Sequence, residues 1–154
     1  MNKILSLTEA EAIFAKEQVV LITGSFDILH LGHLRLLKTA KDSVPKGVKT
    51  LVIILSDKEI SRRKGDRRPV FKQNDRVEAL SYLESVDFVL PWDFAWEDLR
   101  KFVLKVKPDY MAVVRDDPAF ENKKTYIEKA GGKVIIIEPF KGFSTTSILE
   151  KLDL

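Results

Sequence analysis

Five short stretches of this chain are apolar on successive residues: QVVLITG (18–24), TLVIILS (50–56), VDFVLP (86–91), DYMAVV (109–114) and KVIIIE (133–138). A strand with one wet face alternates apolar and polar residues, whereas a strand covered on both faces need not. Runs this short and this rich in Val and Ile predict five strands of a parallel sheet sandwiched between helices. Between them the spacing turns helical. ILHLGHLRLLKTAKD carries apolar residues at Leu31, Leu34, Leu37 and Ala40, and KQNDRVEALSYLES carries them at Val77, Leu80 and Leu83. AWEDLRKFVLKVK and FENKKTYIEKAGG follow, the latter stopped by Gly131 and Gly132, and Thr145 to Leu152 forms a last short helix. SLTEAEAIFAKE reads as a helix before the first strand, opened by Thr8 with Glu11 three residues on. The alternation predicts one α/β domain over residues 1–154, a doubly wound, Rossmann-like, five-stranded parallel sheet. Such sheets bind ligands at the carboxyl ends of their strands, where the strand order reverses.

Composition narrows the chemistry. The absence of cysteine excludes disulfides, thiolate zinc sites and a thiol nucleophile. A net charge of +3 is too mild to imply nucleic acid as a partner. No apolar run approaches the ~20 residues of a bilayer span, and the start MNKILSLTEAEAIF has no long apolar core of a signal peptide. The expectation is a cytoplasmic protein with no nucleic-acid or membrane partner. The cations do cluster in SRRKGDRRP (61–69), which taken alone reads as a solvated loop.

The stretch TGSFDILHLGHLRLL (23–37) follows the first strand directly and holds both histidines of the chain, His30 and His33. Residues at i and i+3 share one face of a helix. The two rings can therefore sit side by side at a helix N-terminus, where unpaired N–H groups and the positive dipole end gather. Gly32 leaves room for a close approach, and Gly24 permits a tight turn after the strand. A metal site would need a third ligand; only Asp27 is near and no further His or Cys exists, so no dedicated metal site is expected. The strand, the glycine and the helix start favour an anion pocket over two histidines with purely structural hydrogen bonds.

These residues match a known pattern. GSFDILHLGH resembles the Gly-x-Phe-Asp-x-x-His-x-Gly-His signature of the cytidylyltransferase-like nucleotidyltransferases. SRRKGDRRPVFKQNDRVEALSYLESVDFVLP is similar to that family's middle segment, and GFSTTSIL to its C-terminal Ser-Thr-Thr-x-Ile motif. Within the family the chain looks most like the adenylyltransferase domain that acts on heptose 1-phosphate. The resemblance implies a HIGH-type nucleotidyltransferase fold. It also implies transfer of a nucleoside monophosphate from ATP or CTP, carried with Mg2+, to a small phosphorylated acceptor, and a homodimer as the common assembly. Catalytic roles fall on His30, His33 and Lys64. Nucleotide contacts fall on Gly24, Ser25, Phe26, Asp27, Gly32, Asp57, Ser144, Thr145 and Thr146, and acceptor contacts on Arg63, Arg68, Arg76, Arg115 and Asp116. Losing one strong donor to such a transition state typically costs ~10²–10³ in rate.

One segment departs from the pattern. Heptose-type members usually end the fourth strand in Lys-Gly-Gly-Asp, where this chain has Val113, Val114, Arg115 and Asp116. A valine replaces a phosphate-seeking charge, with Arg115 two residues along on the same strand face. Other acceptors therefore stay open, glycerol 3-phosphate with CTP and FMN with ATP among them, as does a nucleotide-binding sensor without turnover. EPFKG, before the Ser-Thr-Thr motif, offers Lys141 in place of the arginine usual in glycerol-3-phosphate cytidylyltransferases, which favours ATP. Trp92 and Trp96 read as loop-to-core anchors.

Overall fold

A computed structural model describes residues 2–154. The five strands are β1 (Val19–Gly24), β2 (Lys49–Leu55), β3 (Phe88–Trp92), β4 (Tyr110–Val114) and β5 (Lys133–Ile137), all within two residues of the stretches read from the sequence. They form one parallel sheet in the order β3-β2-β1-β4-β5. The order reverses at β1, which pairs with β2 on one side and β4 on the other, so the loops after β1 and β4 part there. The edge of β3 is covered by the residues before the first helix: Leu5 N–H donates to Val89 O and Val89 N–H to Lys3 O.

The helices are α1 (Leu7–Lys16), α2 (Leu31–Asp42), α3 (Asp57–Lys64), α4 (Gln73–Ser81), α5 (Asp98–Val106), α6 (Phe120–Lys129) and α7 (Thr145–Lys151). Alternate residues of β1 feed two apolar layers, as the double cover of the sheet requires. Val19 and Leu21 pack with Ile60, Leu99, Phe102, Val103 and Ile127 on the face of α1, α3, α5 and α6. Val20 and Ile22 pack with Leu37, Ala40, Val77 and Leu80 on the face of α2 and α4. Each such side chain taken wholly out of water contributes about 1.5–3 kcal/mol.

Three local readings change. The cap of α1 is Ser6, whose Oγ accepts from Glu9 N–H while Glu9 Oε2 accepts from Ser6 N–H, so the box is Ser6–Glu9 and not Thr8–Glu11. Both pairs have the right spacing; the strand-like pairing of Ile4 with Val89 sets where the turn begins. Leu31 and Leu34 are exposed, and the inward stripe of α2 starts instead at His33 and continues through Leu37 and Ala40. Half of the basic loop is helix: α3 runs to Lys64 and stops at Gly65, whose φ of +94° suits glycine. Ser56 caps α3 by accepting from Glu59 N–H, a signal present in the sequence that the density of charge obscured.

A candidate nucleotide site at the switch point

The chain turns sharply after β1. Phe26 adopts φ +47°, and its ring folds back over Gly24, where a Cβ would meet Phe26 Cε2 at 2.9 Å. Gly24 is therefore required by close packing, while the unusual backbone falls on Phe26. The same ring lies 4.9 Å from that of His33. His30 is the N-cap of α2 and makes no side-chain cap bond, so its ring is free to stack on His33 at 3.8 Å between centroids. A Cβ on Gly32 would sit 2.9 Å from the His30 ring and 2.9 Å from Phe143 Cβ. The glycine thus lets one imidazole and a distant loop close over the helix start.

Burial depresses the basicity of both rings. His33 falls to about 4, first through desolvation and then through the neighbouring His30, and His30 is lowered by desolvation. Both are neutral at pH 7, each with one N–H to donate. His30 Nδ1, His33 Nδ1 and the Thr23 hydroxyl are buried with no hydrogen-bond partner among the described residues. Leaving such a group unpaired costs about 1–3 kcal/mol, a penalty that a polar ligand would relieve.

These groups open onto a cavity of about 670 Å³. Three distant segments meet there: Thr23–Phe26 with His30, Gly32 and His33; Lys64 with Arg68; and Ser144–Thr146. Lys64 Nζ approaches Ser25 Oγ at 3.5 Å. Although Lys64 is exposed by area, protein crowds its amine, and desolvation followed by repulsion from Arg68 and Arg63 lowers its pKa. Ser144 caps α7, its Oγ accepting from Ser147 N–H at 3.0 Å, and Thr145 and Thr146 follow it along the cavity wall. Asp116 also lines the cavity.

Other expected site residues lie elsewhere. Asp27 does not face the cavity: its buried carboxylate accepts from Arg68 Nε at 2.7 Å and from the N–H groups of Val70 and Phe71. Arg76 does not line the cavity. It is 2% exposed and donates to Phe71 O, Ser25 O, Leu55 O and Asp57 Oδ1. Asp57 is thereby an anchor for Arg76, with Ser56 as the helix cap. Arg63 lies 5.0 Å over the Trp96 ring, outside this cavity. Arg115 points to Glu138, Nε to Oε1 at 2.7 Å, and Val113 is buried on the opposite face of the sheet from α2; Val114 lines the cavity in their stead. Trp92 is buried, as expected of an anchor.

Some lining residues escaped the sequence reading. Phe140 and Phe143 form a wall, with the Arg35 guanidinium 5.7 and 5.6 Å from their ring centroids. Two aromatics just before the Ser-Thr-Thr run were the available signal. No described helix is long and apolar enough to cross a membrane.

Comparison with known proteins agrees with this geometry. The family described as cytidylyltransferase-like matches residues 21–151. Bifunctional protein HldE of Coxiella burnetii is 33% identical over 152 residues, which are 98% of this chain and 31% of that protein. Bifunctional protein HldE of Campylobacter fetus is 36% identical over 153 residues, again 98% and 31%. The chain thus spans about a third of the length of the curated relatives it matches. The crystal structure of the lipopolysaccharide core biosynthesis protein from Thermoplasma volcanium superposes with a TM-score of 0.62 at 31% identity, covering 82% of this chain and 98% of that one.

Proposed function

The chain belongs to the cytidylyltransferase-like family of nucleotidyltransferases, and from that premise we propose that it transfers AMP from ATP to a phosphorylated sugar of the heptose 1-phosphate type, releasing pyrophosphate. The observation that carries this reading is the convergence of His30, His33, Lys64, Thr145 and Thr146 on one cavity from three separate parts of the chain. Neutral imidazole donors, an amine and hydroxyls are what a triphosphate needs, and a single structural role would not gather them. Residues 1–154 form one catalytic domain in this reading.

A phosphate oxygen of the acceptor attacks the α-phosphorus of the nucleotide. One P–O bond forms as the α–β bridging P–O bond breaks, and its electron pair leaves on pyrophosphate. The acceptor phosphate is already anionic near pH 7, so the chain supplies no nucleophile and no strong base. Its work is positioning and neutralising charge on the equatorial oxygens. His30 and His33 donate to the triphosphate as neutral rings, which keeps their N–H groups available without adding fixed charge. Lys64 carries the positive charge toward the leaving phosphates, beside the backbone of Gly24, Ser25 and Phe26.

Magnesium enters as part of the substrate. A hard cation takes oxygen ligands, and the described residues hold no cluster of three carboxylate or histidine groups to cage it. Asp27 is spent on Arg68 and backbone N–H groups, so a magnesium ion would be held chiefly by the triphosphate it accompanies.

Pyrophosphate release tests the reading, with ATP and CTP each offered heptose 1-phosphate, glycerol 3-phosphate and FMN. ATP with heptose 1-phosphate is expected to give the highest kcat/KM. Nucleotide binding with no pyrophosphate from any pair would make the protein a binding module instead.

A further inference from the structure

A second cavity, of about 230 Å³, opens where the N-terminal ends of α5 and α6 diverge. It is lined by Trp96, Glu97, Leu99, Arg100, Asn122 and Tyr126. That volume is below the ~300–1,000 Å³ of pockets for drug-sized ligands, too small for a nucleotide and adequate for a monosaccharide-sized body. The lining is as informative as the size. Arg100 only donates, Glu97 only accepts, and Asn122 does both, so a molecule of several hydroxyls, each a donor and an acceptor, would find partners. Trp96, Tyr126 and Leu99 offer the apolar surface that a carbon skeleton packs on. A purely apolar ligand would strand the polar rim, and a bare anion would meet Glu97.

The charges lead from this cavity to the first. Arg62, Arg68, Arg76, Arg115 and Lys123 are all ion-paired. Arg63, Lys64 and Arg100 have no carboxylate partner of this kind among the described residues. Arg63 and Lys64 are neighbours in the last turn of α3, yet they go to different places. Arg63 lies 5.0 Å over Trp96, which lines the second cavity, while Lys64 Nζ lies 3.5 Å from Ser25 Oγ in the first. An unpaired guanidinium therefore rests on one wall of the hydroxyl-compatible cavity, next in sequence to the lysine that lines the triphosphate cavity, and a guanidinium matches a phosphate in its fork of donors. Tyr126 adds a buried hydroxyl without a partner beside the same cavity.

We propose that the cavity between α5 and α6 holds the hydroxylated carbon skeleton of the acceptor, with Arg100 and Asn122 bonding its hydroxyls and Arg63 taking its phosphate toward the nucleotide. The proposal rests on the transferase reading above, and it locates the acceptor away from Val113 and Arg115, where the sequence had pointed.

The test uses Arg100→Ala and Asn122→Ala, both at exposed positions whose loss leaves the core intact. With ATP saturating, each substitution is expected to raise the KM for heptose 1-phosphate about tenfold, the worth of one charge-assisted or well-placed hydrogen bond, while the KM for ATP stays within twofold. Arg100→Lys should recover part of the loss. An unchanged acceptor KM in both variants overturns the proposal. If the wild type turns over no acceptor, the transferase reading fails separately, and binding of heptose 1-phosphate followed by Trp96 fluorescence decides the cavity. Saturable binding in the wild type that weakens in Arg100→Ala supports it; binding that is absent, or equal in the two, overturns it.

Discussion

Arg68 Nε lies 2.7 Å from Asp27 Oδ2, and the two side chains are only 10% and 0% exposed. The pair joins the loop after β1 to the segment before α4, and Val70 and Phe71 add their N–H groups to the same carboxylate. Desolvation alone would raise the pKa of Asp27; the bonds from Phe71, Val70 and Arg68 outweigh it and bring the pKa below the ordinary value. Removing one member of a buried pair leaves the other charge uncompensated, so Asp27→Asn should destabilise the fold by roughly 3–5 kcal/mol. The wild-type pair stabilises above the unfolded pKa near 3.9 and is lost as pH falls through the lower folded value. Urea midpoints against pH should show that acid-side loss in the wild type and a shallower one in Asp27→Asn.

Arg76 makes the sharper distinction between structural and catalytic roles. Its guanidinium satisfies three backbone carbonyls and Asp57 in the interior. Arg76→Ala should cost on the order of 3–5 kcal/mol, and Arg76→Lys should recover little because an amine cannot span the same acceptors. A variant with wild-type stability and lost turnover would contradict this reading.

His33 should behave as a neutral donor. Its pKa of about 4 predicts imidazole resonances that do not titrate between pH 5.5 and 8 in NMR spectra. The unfolded chain binds a proton near 6.5 that the folded ring refuses, so this residue destabilises the fold progressively as pH falls from about 6.5 to about 4. His33→Ala and Lys64→Ala should each lower kcat for pyrophosphate release by at least ~10²-fold.

Gly32→Ala probes the crowding at the start of α2. The added methyl would meet the His30 ring and Phe143 Cβ, both at 2.9 Å, so one of them must move. Weaker ATP binding with little change in urea midpoint is the expected outcome, measured by titration calorimetry.

The sheet was legible because its Val and Ile runs leave little alternative to strands buried on both faces, and His30 and His33 because a strand, a glycine and a helix start frame them. Arg76 was not. A charged residue on an amphipathic helix is solvated by default, and the burial of this one is made tolerable by three carbonyls, two of them remote in sequence, and by the Asp57 carboxylate. Lys64 and Arg63 looked like loop cations because charge masked the Ser56 cap. Arg115 was placed by strand parity alone, which says nothing of the exposed carboxylate of Glu138 one strand over.

The clamp formed by Arg76 also bears on how such a site can be divided. The histidines, their glycine and the first two strands are complete by residue 55, but the carbonyls of Ser25 and Leu55 find their donor only at residue 76. A fragment that carries the signature without α4 would possess the motif and lack the architecture that aims it. The smallest inheritable unit of this chemistry is therefore longer than the motif by which it is recognised.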